Sequence, residues 1–286
     1  TQSRSSAASD VYKRQAKIVL SLCIIAILAS CSNEKDEVEE QQIDYSEVAK
    51  SSEIDQASEA LEEVTLKVYE TQEVSESSKM PPNFNLPDCV TITVVAQQNY
   101  REVTLDFGSE GCLVNGNILK GVIVLTYTRN PQAQEILITK TFTDFYFNAK
   151  NIQGGNTILK QRQNDNGNPQ FTNTTTITVI WPDGATATRN GVKIREWVEG
   201  HGSDVWSDNV FEITGNWTTT FVNGNTHSYT VLTPLRREVI CFYFVNGSID
   251  VVRTNFSGVF DYGDGSCDNL ATFTFSDGTV VDITLN

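Results

Sequence analysis

Eight Asn-Gly or Asp-Gly dipeptides punctuate the chain after residue 88, and the segments between them are rich in Thr, Val, Ile and aromatic residues. The dipeptides are Asn115-Gly116, Asn166-Gly167, Asp183-Gly184, Asn190-Gly191, Asn223-Gly224, Asn246-Gly247, Asp264-Gly265 and Asp277-Gly278. Short hairpin loops demand positive φ, which Asn, Asp and Gly tolerate, so each dipeptide reads as a turn. Runs such as Val90–Ala96, Gly121–Thr128 and Ile136–Phe147 read as strands. Roughly a dozen strands joined by short turns imply an antiparallel meander. Residues 88–286 are therefore expected to form one all-β domain, a meander sheet arranged as a sandwich or an open barrel, with enough chain for a single sizeable core.

One hairpin can be assigned a register. Phe211, Ile213, Trp217 and Phe221 alternate with polar residues, so the odd positions share a face. A two-residue Asn223-Gly224 turn would oppose odd residues to even ones. A three-residue loop Val222-Asn223-Gly224, with Gly224 left-handed, keeps parity and sets Trp217 against Tyr229 and Thr219 against His227. The second register is preferred, and it makes His227 a cross-strand packing residue.

The N-terminal portion has a different logic. Ile18 to Leu28 is an apolar run preceded by Lys13, Arg14 and Lys17. Eleven helical residues span roughly 16 Å, about half a bilayer core, which fits a signal peptide over 16–30 and not a membrane span. The run ends Leu28-Ala29-Ser30-Cys31, which resembles a lipobox, with Cys31 as the acylated residue. Residues 1–15 resemble translated adaptor sequence and are set aside. Ser32 is not the Asp that retains lipoproteins in the inner membrane, so the outer membrane is the expected address. Lys35-Asp36-Glu37 resembles the surface-export signal of Bacteroidota lipoproteins; the periplasmic face is the alternative, with this stretch then a soluble acidic spacer.

Charge is uneven. Residues 32–79 hold 15 acidic and 4 basic residues, net −11, against 20 and 13, net −7, for residues 80–286. So acidic a segment repels phosphate, which argues against nucleic acid as a partner. Residues 31–50 are read as an acidic tether extended by like charge, 51–79 as an amphipathic helix, and 80–87 as a Pro-rich linker. The helix rests on the stripe Ile54, Ala57, Leu61, Val64 and Val68, with Glu59, Glu62, Glu63 and Lys67 off it, and on Ser52 and Asp55 as a capping box.

A duplication supplies the strongest internal signal. Cys89 opens a segment ending Asp106-Phe107-Gly108-Ser109-Glu110-Gly111-Cys112, and Cys241 opens one ending Asp261-Tyr262-Gly263-Asp264-Gly265-Ser266-Cys267. Four cysteines of an exported chain allow three pairings. Local pairing, Cys89–Cys112 and Cys241–Cys267, is favoured because each unit (89–112 and 241–267) then carries its own staple. Crossed pairing would turn the architecture toward a closed barrel.

Asp106–Cys112, the following Asn115-Gly116-Asn117-Ile118-Leu119-Lys120-Gly121, Arg195-Glu196-Trp197, Trp206-Ser207-Asp208-Asn209, Pro234-Leu235 and the Asp261–Asn269 ending together resemble an uncharacterised surface lipoprotein family of flavobacterial type in the Bacteroidota. The resemblance covers about residues 87–286. It implies a surface or periplasmic lipoprotein and no particular activity.

The catalytic motifs are wanting. His201 and His227 stand apart without a metalloenzyme pattern, and no GxSxG elbow occurs. Asp261, Asp264 and Asp268 crowd one loop that could be imagined to hold Ca²⁺, but turn chemistry explains them better, so no metal is favoured. Trp181, Trp197, Trp206 and Trp217 would stack on sugar rings if exposed, but core packing is the favoured explanation. The expectation is a non-enzymatic, lipid-anchored envelope protein without a cofactor, binding a glycan or protein partner or serving as structure. The alternative is a carrier that shelters an apolar ligand in a curled sheet, and a glycan hydrolase ranks third.

Overall fold

A computed structural model describes residues 46–79, 82–203, 205–254 and 256–285. Residues 1–45, with Cys31 and Lys35-Asp36-Glu37, lie outside the described residues. The chain enters as a long helix, α1 (Ser46–Ser78), and continues as β1 (Thr91–Gln97), β2 (Tyr100–Asp106), β3 (Cys112–Val114), β4 (Asn117–Thr128), β5 (Glu135–Phe147), β6 (Lys150–Gln161) and β7 (Gln170–Ile180). The remaining strands are β8 (Thr186–Glu199), β9 (Val210–Phe221), β10 (Thr226–Glu238), β11 (Phe244–Arg253), β12 (Ser257–Asp264), β13 (Leu270–Phe275) and β14 (Val280–Thr284).

All fourteen strands belong to one antiparallel sheet ordered β1-β2-β4-β5 and onward to β14, with β3 paired to β4 alone. The sheet is open, because β1 and β14 are not joined. It is a meander, as the turn pattern requires, in one layer that takes α1 as the second. Among the described residues no helix is long and apolar enough to cross a membrane.

Helix α1 holds 33 residues, about 50 Å of helix. Ile54, Ala57, Leu61, Val64 and Val68 are all buried, as the stripe requires. So are Ser51, Glu62, Thr65, Leu66, Tyr69 and Gln72. Val64 and Leu66 bound a buried arc of about 200°, wider than one sheet face can cover, so the sheet curls around the helix. The six large apolar side chains of α1 in the core contribute roughly 1.5–3 kcal/mol each relative to exposure. Two expectations give way here. Ser46–Lys50 are helical and not tether, and Ser52 lies inside the helix, so it cannot cap with Asp55. The helix ends at Ser78, and the next residue, Lys79, takes a left-handed φ of 59° ahead of Pro81-Pro82.

The β9–β10 hairpin has the three-residue loop: Gly224 has φ 87°, and Trp217 pairs with Tyr229 and Thr219 with His227. Two of the eight dipeptides are not turns. Asn190-Gly191 lies inside β8, and Asn246-Gly247 inside β11 beside a register shift. Gly191 is required there by contact. A Cβ on it would stand 2.3 Å from Cβ of Trp217, its partner on β9. Glycine in a strand thus marked a close approach of chains, which the dipeptide alone does not separate from a turn.

Both local disulfides form, Cys89–Cys112 and Cys241–Cys267, with Cα atoms 5.7 and 5.8 Å apart. The main core joins α1 to the inward face from β2 to β9. A smaller one, with Ile213, Trp217, Tyr229, Ile249 and Phe273, lies along β9 to β13.

Candidate functional site

Alternation places Ala187, Arg189, Gly191, Lys193, Arg195 and Trp197 of β8 on the inward face. Cations on the concave side of a sheet need anionic partners, and α1 supplies them. All nine acidic side chains of α1 contact the β domain. Arg189 Nη1 donates to Asp55 at 2.6 Å, and Glu59 accepts from Lys193 and Arg195 at 2.6 and 2.5 Å. Glu62 accepts from Asn173 at 2.6 Å and lies 3.4 Å from Arg195. Farther along, Glu63 meets Arg237, Glu70 meets Lys160, Glu73 meets Arg129, and Glu76 takes both Arg101 and Arg129. At the near end Glu53 binds Lys150 and Trp181, while Glu47 accepts from Asn223 and Asn225.

Eight of the thirteen Lys and Arg after residue 80 are thereby turned inward onto the helix. The electrostatics follow from this arrangement. Burial alone would raise the Glu59 carboxyl, but Lys193 and Arg195 outweigh it and hold it at about 2. Burial pushes the Lys140 ammonium down to about 8, only partly opposed by Glu62. Burial, then Arg253, pushes His227 down to about 4 against the pull of Glu47, so the 3.7 Å contact with Glu47 is made by a neutral ring near pH 7. Buried pairs of this kind add little net stability over apolar packing, but removing one partner strands a charge. They fix the seating of the helix, because a shift of one turn would break the whole ladder.

Side chains of α1 fill the trough over the main core. Between helix and sheet a cavity of about 10 Å³ remains, lined by Glu62, Leu66, Ile158, Phe171, Asn173 and Arg195, less than a lipid or any apolar cargo needs. On the outer face an open depression of about 470 Å³ lies over β4 and β5, bordered by Tyr100, Thr126, Thr128, Asn130 and Leu137, with Glu135 its one carboxylate.

The tryptophans do not make a sugar platform. Trp181, Trp197 and Trp217 are buried, and Trp206 is half-buried against the main core. They occupy inward positions: Trp181 donates to Glu53, Trp197 to Asn209, and Trp217 stacks on Tyr229 at 5.5 Å with Lys193 over its ring. Asp261, Asp264 and Asp268 each accept the backbone N–H two residues on, at 2.8, 3.1 and 2.9 Å, which is turn chemistry. Among the described residues no group of three His, Cys, Asp or Glu is arranged to hold a metal ion. His201 is exposed and packs edge-on against Trp197, and His227 packs on Phe221, so the two never meet at one site.

Antiparallel strands put alternate connections on opposite rims of the sheet. The start of α1 lies at the rim of the β7–β8 and β9–β10 turns, where Lys50 donates to Asp183 at 3.0 Å and Glu47 binds Asn223. The β6–β7, β8–β9, β10–β11 and β12–β13 connections occupy the other rim.

No protein-family model, no curated protein and no solved structure matches the chain.

The inward cations escaped notice in the sequence. Their signal was present, since Arg189, Lys193 and Arg195 share parity with Ala187 and Trp197, while an acid-rich helix lay upstream in search of partners.

Proposed function

We propose that the chain is a non-enzymatic, lipid-anchored envelope protein that presents a binding surface away from its membrane. The observation that carries this reading is the clamped helix. The segment that follows Cys31 becomes α1, a core element locked by nine carboxylates, and it enters at one rim of the sheet. Fourteen residues separate Cys31 from Ser46. They reach at most about 50 Å when extended and join α1 at Ser46, beside the β7–β8 and β9–β10 turns, which supports that rim as the one nearer the anchor. The filled trough argues against a carrier, and the burial of Trp181, Trp197 and Trp217 argues against a sugar-stacking cleft built from them.

The test uses the full chain carrying Cys31→Ala, purified from the soluble fraction. It is offered to a glycan array and to surface-labelled cell extracts, and saturable capture of one class is the expected result. Absence of capture in both, together with turnover of any glycan or ester substrate, would overturn the reading.

A further inference from the structure

The rim opposite the start of α1 carries four exposed apolar side chains on connections that also hold carboxylates. Val205, Ile240, Phe242 and Leu270 are 52, 78, 65 and 59 % exposed. They come from three separate connections that are tied together. Val239 N donates to Asn209 O at 3.0 Å, which sets the β10–β11 connection beside the β8–β9 one. The Cys241–Cys267 disulfide holds it to the β12–β13 connection that leads to Leu270. Phe242 packs edge-on against Tyr243 at 5.1 Å. Large side chains this exposed cost solubility, and here they stand on stapled loops.

The three connections themselves carry no cationic Lys or Arg: the sequence from Glu199 to Asn209, from Glu238 to Asn246 and from Asp261 to Leu270 contains none. Glu199, Asp208, Glu238, Asp261, Asp264 and Asp268 lie within these stretches. Arg236 serves Glu199 and Glu238, and Asp261, Asp264 and Asp268 are exposed. Eight cations of the β domain lie against α1 and Arg236 is engaged by Glu199 and Glu238, so among the described residues Asp261, Asp264 and Asp268 have no ion-pair partner.

We infer that this rim docks a polypeptide segment in which an apolar side chain is flanked by Lys or Arg. The apolar residue fits between Ile240, Phe242 and Leu270, and the flanking cations meet Asp264 and Asp268. An anionic lipid surface is repelled by the same carboxylates. A second copy would bring like charges together. The inference rests on the reading of the chain as a binding module.

The experiment takes the full chain with Cys31→Ala and three fluorescent peptides of one length: Leu and Phe flanked by Lys and Arg, the same residues flanked by Glu, and the same flanked by Ser. Anisotropy is expected to show saturable binding of the basic peptide alone, weakening with salt. Ile240→Ser with Phe242→Ser should weaken it at least about tenfold, since both side chains are exposed and removable without loss of core. Asp264→Asn with Asp268→Asn keeps the turn oxygens, yet should weaken binding and flatten its salt dependence. Asp277→Asn, on the anchor-side rim, should change nothing. Equal binding of the Glu or Ser peptide, or equal effects of all three carboxamide changes, would refute the inference, as would uptake by anionic vesicles or concentration-dependent self-association that Ile240→Ser abolishes. If the peptides fail while the glycan array succeeds, the binding-module reading stands and this surface does not.

Discussion

Replacing Glu59 by Gln removes the charge that sits between Lys193 and Arg195 and leaves two buried cations short of a partner. The magnitude follows from the carboxyl group itself. Its pKa in the folded chain is about 2, against 4.5 for an unperturbed Glu. At 1.36 kcal/mol per pH unit, that difference corresponds to roughly 3 kcal/mol of folding stability near pH 7. The sign is that of a depressed acid: the contribution is complete above 4.5 and is lost as pH falls through the range from 4.5 to about 2. At pH 3 less than half should remain. Urea unfolding of the native and Glu59→Gln proteins at pH 7, 4 and 3 measures this, with the disulfides intact. The variant is expected to be about 3 kcal/mol less stable at pH 7, with the gap closing steadily toward pH 3. A gap under about 1 kcal/mol at pH 7, or one independent of pH, would show that the ladder does not hold the helix.

Lys140 should behave in the opposite sense. Its pKa is lowered to about 8 from 10.5, so its buried ammonium weakens the fold below pH 8, and stability should rise between pH 8 and 10.5 in thermal unfolding. Lys140→Met should stabilise the chain at pH 7 by about 1–3 kcal/mol and remove that rise. Cys89→Ser with Cys112→Ser, and separately Cys241→Ser with Cys267→Ser, should each cost about 3–4 kcal/mol in urea unfolding, with no thiol reshuffling to the other pair. Cys31→Ala should move the protein from the membrane to the soluble fraction with its circular dichroism unchanged, and retention on membranes would remove the anchor from the account. Asp36→Lys with Glu37→Lys should leave lipidation intact yet protect the protein from protease shaving of whole cells.

Much of the β architecture was legible because turn chemistry is local. Asn223-Gly224 set the β9–β10 register through parity alone, and the two Asp-aromatic-Gly repeats marked the disulfides through proximity along the chain. Asn190-Gly191 misled because the same dipeptide serves a turn and a close approach, and only Trp217 on another strand distinguishes them. In α1 the apolar stripe named its buried face, but Glu59 and Glu62 were placed off it. Their carboxylates are inside because Lys193 and Arg195 wait about 130 residues away, and no local pattern reports such a pairing. The tryptophans could not be placed from the sequence pattern alone for the same reason, although core packing, the favoured reading, is what the fold shows: inward and outward positions of a strand look alike until one knows which face the helix covers.

The central claim is that α1 is part of the β domain and not a stalk attached to it. A chain beginning at Met80 tests this most directly, alone and with a synthetic peptide of residues 46–78 added in trans. The truncated chain alone should show no cooperative urea transition and no dispersed amide spectrum, and the peptide should restore both at low salt but poorly at high salt. A cooperatively folded chain from Met80 onward, unaffected by the peptide, would contradict that claim.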